Sequence, residues 1–138
     1  MRSRLAMALS VTLSCLLLAT PAVAQAKFDG SKPMLCAISA VSECTADGKC
    51  ERSVPTPESN LVKFVRVDVQ GKLLTDNDGS GRKSEIKAST VADGHLVLQG
   101  VENGKAWTLA IHAEGGGFGA SVVENDGLFA IFGNCTLP

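Results

Sequence analysis

Most of what the sequence tells us about chemistry comes from what is missing. It has no Gly-x-Ser-x-Gly elbow, no His-Glu-x-x-His pair and no Cys-x-x-Cys motif, so the usual hydrolase, zinc-protease and dithiol signatures are absent. It has no excess of positive charge. Thirteen Lys+Arg against fourteen Asp+Glu leave a formal charge of −1, which excludes a basic nucleic-acid surface as the organising theme. No helical period is sustained beyond the first 24 residues. The glycine-rich Gly115-Gly116-Gly117-Phe118-Gly119 has no helix N-terminus beside it to hold a phosphate. With no positioned acid, base or nucleophile, the expectation is a protein that is not an enzyme and carries no cofactor.

What is present begins with an address. Arg2 and Arg4 precede an apolar stretch from Leu5 to Ala19, and Pro21-Ala22-Val23-Ala24 offers a small-x-small cleavage site. This is the pattern of a secretory signal peptide over 1–24, with Ala24-Gln25-Ala26 allowing cleavage after 26 instead. About 15 apolar residues fall short of the roughly 20 that a spanning helix needs, so no transmembrane segment is expected in the mature chain. Cys15 lies inside the apolar run, where a lipidated cysteine would have to open the mature chain. Residues 25–138 then form one domain, periplasmic or secreted, with four cysteines: Cys36, Cys44, Cys50 and Cys135. An even count outside the cytosol reads as two disulfides, and four cysteines allow three connectivities.

Turn residues punctuate that domain: Asp47-Gly48, Gln70-Gly71, Asp93-Gly94, Asn103-Gly104 and Asp126-Gly127. Between them lie short runs rich in Val, Ile, Leu, Phe and Thr, near 34–44, 49–54, 61–69, 71–75, 82–90, 95–101, 105–112, 118–124 and 128–135. The pattern predicts an all-β protein, a small antiparallel up-and-down meander of eight to nine strands that closes into a barrel and is stapled by disulfides.

Register can be tested by arithmetic. A two-residue loop at Asn103-Gly104 sets Leu96 opposite Ile111, Leu98 opposite Leu109 and Gly100 opposite Trp107, an apolar face at every pair. A three-residue loop Ala92-Asp93-Gly94 brings Ile86 and Ala88 to that face, against Gly100 and Leu98. A similar loop Asn125-Asp126-Gly127 pairs Val122 with Ala130 and Ala120 with Phe132. A third, Ala46-Asp47-Gly48, sets Cys44 opposite Cys50, close enough for a bridge. That predicts Cys44–Cys50 and leaves Cys36–Cys135 to tie the first strand to the last. Trp107, Phe64, Phe129 and Phe132, with the Leu and Ile residues, are enough to fill a small barrel, so a solid core is expected.

Two constellations deserve weighing for metals. The Asn103-Gly104 register places His95 beside His112, a metal candidate of two ligands where structural sites usually take four. Asp76-Asn77-Asp78-Gly79-Ser80-Gly81 starts like a calcium loop, but Lys83 and Lys87 occupy the positions that should be apolar and acidic. A solvated loop is the expectation there.

Finally, Leu96-Val97-Leu98-Gln99-Gly100-Val101-Glu102-Asn103-Gly104-Lys105-Ala106-Trp107, Phe129-Ala130-Ile131-Phe132-Gly133-Asn134-Cys135 and Cys36-Ala37-Ile38-Ser39 with Cys44 resemble a set of small exported proteobacterial proteins of uncharacterised function. The resemblance spans most of the mature chain and implies a periplasmic home, with no catalytic residue to carry over. Beside a purely structural envelope role, two functions are consistent with all this. One is a periplasmic binding module that acts on another macromolecule, a protein or envelope component, as an inhibitor or envelope-associated factor through loops 55–60, 76–81 and 113–117. The other is a carrier of a small apolar ligand or haem inside the barrel.

Overall fold

Short runs of β-branched and apolar residues between turns become ten strands among the described residues. They are β1 (Met34–Thr45), β2 (Cys50–Ser53), β3 (Phe64–Asp68), β4 (Leu73–Asp76), β5 (Lys83–Glu85), β6 (Ala88–Ala92), β7 (His95–Glu102), β8 (Lys105–His112), β9 (Gly117–Val123) and β10 (Gly127–Thr136). The computed structural model describes residues 27–55 and 62–138, so the expected leader at 1–24 lies outside the described residues. Among the described residues no helix is long and apolar enough to cross a membrane.

One antiparallel sheet holds all ten strands, in the order β5-β4-β3-β1-β10-β9-β8-β7-β6, with β2 added to β1. The first and last long strands pair, as a closing meander requires, from Leu35 opposite Thr136 to Thr45 opposite Gly127. The buried Cys36–Cys135 disulfide crosses that pair, and Cys44–Cys50 staples the β1–β2 hairpin.

Closure is incomplete, and this corrects the expected barrel. The sheet curls through 285° and stops. The cause lies in the expected strand at 82–90, which is broken at Ile86 and Lys87 into β5 and β6. Each half pairs on one side only, β5 with β4 and β6 with β7. At the break, the Ile86 N–H donates to the Lys72 carbonyl (2.9 Å) and the Lys87 N–H to the Gln99 carbonyl (2.8 Å), so two residues tie the sheet's edges together.

The hairpin arithmetic holds in two places and slips in two. Around Asn103-Gly104 every expected pair is found, and Cys44 does face Cys50. At Asp93-Gly94 the loop has two residues, not three: Ala92 faces His95, and Ser89, not Ala88, faces Leu98. Positive φ at both Asp93 (47°) and Gly94 (76°) marks the tight turn that suits a right-twisted hairpin. The β9–β10 loop is also one residue shorter than expected, and the Glu124 N–H donates to the Gly127 carbonyl. Ala120 therefore faces Ile131, and Phe132 faces Gly119. A one-residue slip moves every side chain to the opposite face.

The inner face buries Met34, Val41, Val67, Leu96, Leu98 and Ile111 almost completely. Phe28 plugs one end of the curl, its N–H bonded to the Ala113 carbonyl at 2.8 Å and its ring within the core. The opposite end, beside the Asn103-Gly104 turn, is open.

Candidate functional site

The open end holds a cavity of about 350 Å³, within the range of small-molecule sites. It exists because the expected solid core is not achieved there. Phe132 points outward and is 53% exposed, and Phe64, opposite Ala37 on the outer face, is 37% exposed. Two of the four aromatics counted on to fill the interior are thus outside it. Small and branched side chains remain as walls: Ile38, Val65, Leu74, Leu109, Ala120, Val122 and Ile131. Phe118 and the Cys36 half of the buried disulfide lie among the lining residues deeper in the curl.

Trp107 forms one wall. Its ring lies directly over Gly100, where an added Cβ would come within 2.3 Å of it and within 2.6 Å of the Glu85 carbonyl oxygen. The bare glycine lets the indole lie flat on the sheet and lets β5 approach β7. From there the indole N–H donates to the Ser84 hydroxyl at 2.9 Å. Trp107 on β8 thereby reaches β5 across the sheet's open seam. This satisfies the one polar atom of a half-buried indole.

The charged groups lie at the strand ends around the opening. Asp76 and Arg82 form an ion pair at 2.6 Å, and Lys105 pairs with Glu124 between β8 and the end of β9. Lys83, Glu102 and Asn103 complete the margin. Burial pushes the Asp76 carboxyl above its ordinary value of 3.8, the Arg82 charge opposing and Asp78 reinforcing the shift. A carboxyl raised in the folded state contributes stability that is present at low pH and lost as pH rises through its folded value. In a carbon-detected NMR titration, Asp76 is expected to titrate above 3.8, and Arg82→Gln to move its midpoint higher still; a midpoint at or below 3.8 in the wild type would contradict the burial at the rim.

The calcium-like loop is closed on itself, as its departures from the motif imply. The Ser80 N–H donates to Asp78 at 2.8 Å, and the Ser80 hydroxyl reaches Asp76 at 3.4 Å. Its first carboxylate is already engaged by Arg82.

His95 and His112 do lie side by side, opposite one another in the β7–β8 ladder, with ring centroids 5.4 Å apart and nearly perpendicular. Their hydrogen bonds assign different tautomers to the neutral rings. Nδ1 of His95 faces the Asp93 carbonyl at 3.0 Å and so carries the proton, whereas Nδ1 of His112 accepts from the Gly115 N–H at 3.2 Å. In that arrangement His95 offers a free lone pair at Nε2 and His112 an N–H. Among the described residues, no group of three or more His, Cys, Asp and Glu side chains is placed to hold a metal ion. Both histidines are exposed, on the outer face, and neither lines the cavity.

Of the expected contact loops, 76–81 adjoins the cavity rim, and 113–117 sits at the plugged end of the sheet. The third, at 55–60, lies outside the described residues from residue 56 onward. Comparison with known proteins adds no assignment, since no family model, no curated protein and no solved structure matches this chain.

The cavity is what sequence reasoning missed. Its signal was present: Gly119 and Ala120 are adjacent small residues of β9, and whichever of them faces Phe132 decides whether that ring fills the interior or leaves it.

Proposed function

We propose that the protein is a non-enzymatic binding protein that holds a small, mainly apolar molecule in the open end of its curled sheet. One observation carries the reading: an apolar-walled cavity of about 350 Å³ with every charged group at its rim. Such a site rewards burial of apolar surface at about 25 cal/mol per Å², and the rim selects for a polar end left near solvent. Haem is the less favoured of the apolar ligands, because among the described residues no lining side chain is a histidine, a methionine or a free cysteine that would bind its iron. The two disulfides support an oxidising, exported setting, as the N-terminal pattern and the resemblance to exported proteins also do. Action on another macromolecule is supported less well, because the 76–81 loop is bound up in its own hydrogen bonds.

Trp107 is the chain's one tryptophan, so its emission reports on the cavity wall. Titration with decanol and decanoate is expected to shift that emission saturably. Ala120→Phe, which fills the cavity from β9, is expected to abolish the shift while the far-ultraviolet spectrum and both disulfides are kept. A flat titration for every apolar probe tried, or an Ala120→Phe variant that binds as well as the wild type, would overturn the proposal.

A further inference from the structure

Among the described residues the sheet has three free edges, and they are unequally protected. β2 carries Glu51 and Arg52, and β5 carries Lys83 and Glu85; charged side chains of this kind are how natural sheets keep their edges from pairing with other strands. β6 carries none. Its sequence is Ala88-Ser89-Thr90-Val91-Ala92, without charge, proline or bulge, and every residue of it is exposed. Val91 faces the inner side of the sheet, opposite Leu96, yet is 55% exposed, because β6 projects from the curl with β7 as its only paired neighbour among the described residues.

We infer that β6 is a self-pairing edge, on which a second copy of this chain docks its own β6 antiparallel, about a two-fold axis at Thr90. The backbone sets the first condition. Ala92 and His95 flank a two-residue turn and so form a hydrogen-bonded pair, and the bonding alternates from there. The N–H and C=O groups of Ser89 and Val91 consequently point away from β7, toward the free edge. No backbone bond from another element of the described residues reaches them.

The extent of the free backbone sets the second condition and selects the register. With Thr90 opposite itself, Ser89 faces Val91 of the other copy, and the two such pairs exchange four N–H···O=C bonds. Sliding by one repeat so that Ser89 faces itself sets Val91 against Lys87, whose N–H is already bonded to the Gln99 carbonyl. Sliding the other way sets Ser89 against Asp93, which lies in the turn with φ 47°. Only the central register uses every outward group of the strand, and an isologous pairing uses each of them twice.

The test is sedimentation equilibrium of the oxidised protein over a wide concentration range, with hydrogen exchange at both ends of that range. A monomer–dimer equilibrium is expected, with the Ser89 and Val91 amides exchanging freely when dilute and protected when concentrated. Val91→Pro removes an outward donor and no bond to β7, so it is expected to weaken the dimer about tenfold or more, at an almost unchanged melting temperature. Thr90→Cys is expected to give a disulfide-linked dimer on mild oxidation, since non-hydrogen-bonded antiparallel partners stand at bridging distance, whereas Thr75→Cys, on a strand paired on both sides, is not. A protein that stays monomeric throughout overturns the inference. So does a dimer indifferent to Val91→Pro and not trapped through Thr90→Cys, which would assign the contact to another face or partner.

Discussion

Replacing Cys36 and Cys135 together by alanine is expected to destabilise the protein by about 4–5 kcal/mol, and replacing Cys44 and Cys50 by only about 2 kcal/mol. The difference follows from the lengths of chain the bridges enclose, 99 residues against 6. A long unbridged loop adds far more freedom to the unfolded chain than a short one. Burial works in the same direction, because Cys36 and Cys135 are 2% and 4% exposed and form part of the core. Urea unfolding extrapolated to water measures both losses, about twice as large for the first pair, and the slope is expected to rise more for that pair because its unfolded chain expands more. Equal losses would mean that the unfolded chain keeps its ends together without the bridge, and that the ordering of the two has another origin.

A single methyl group at Gly133 is expected to cost nearly as much, about 3 kcal/mol or more, lowering the melting temperature by roughly 10–20 °C. Gly133 lies on β10 opposite Ile38, where the β1 register shifts by one residue and the strands are squeezed. A Cβ there would stand 2.0 Å from the Ala37 carbonyl oxygen and 2.6 Å from the Phe118 ring. The ring can turn aside, but the carbonyl belongs to the ladder that holds the first strand to the last. Gly119→Ala is the matched control one strand away, where the nearest side chain, Phe132, is 3.7 Å from the new methyl. That variant is expected to be neutral or slightly stabilising, since it removes freedom from the unfolded chain. If both variants behaved alike, the close approach at Gly133 would not be real.

These two effects mark how far the sequence could be followed. The β7–β8 hairpin was legible because all of its inner pairs are apolar in one register and in no other. Cys44–Cys50 was legible because a three-residue loop at Ala46-Asp47-Gly48 sets the two cysteines directly opposite, whereas a two-residue loop would set Cys44 against Glu51. At Asp93-Gly94 the same dipeptide fits a two-residue or a three-residue loop, and the choice was made by asking which register buries more apolar surface. That criterion presumes that the inner side of the strand is buried. β6 leaves the curl, so Ser89 and Val91 sit on that side in water, and the criterion had nothing to act on. On β10, Ala130 and Ile131 are both apolar, so hydrophobicity did not distinguish a face carrying Phe132 from one carrying Ile131. The cavity followed from that one ambiguity, which is why it could be found only with the register known.

The pairing of β1 with β10 also bears on how the protein is made. Its first strand takes its two long-range neighbours from opposite ends of the chain, β3 early and β10 last, so the largest ladder has no partner until the final residues have emerged. Cys44 and Cys50 can meet as soon as the first hairpin forms, whereas Cys36 must wait for Cys135. During that interval Cys36 is a free thiol beside a finished short bridge, and attack on it would exchange one pairing for another. Maturation is therefore ordered in time by the topology. The order this topology leads one to expect is oxidation of the local hairpin first and closure of the chain's ends last, with the interval between them the point at which a catalyst of thiol exchange would act.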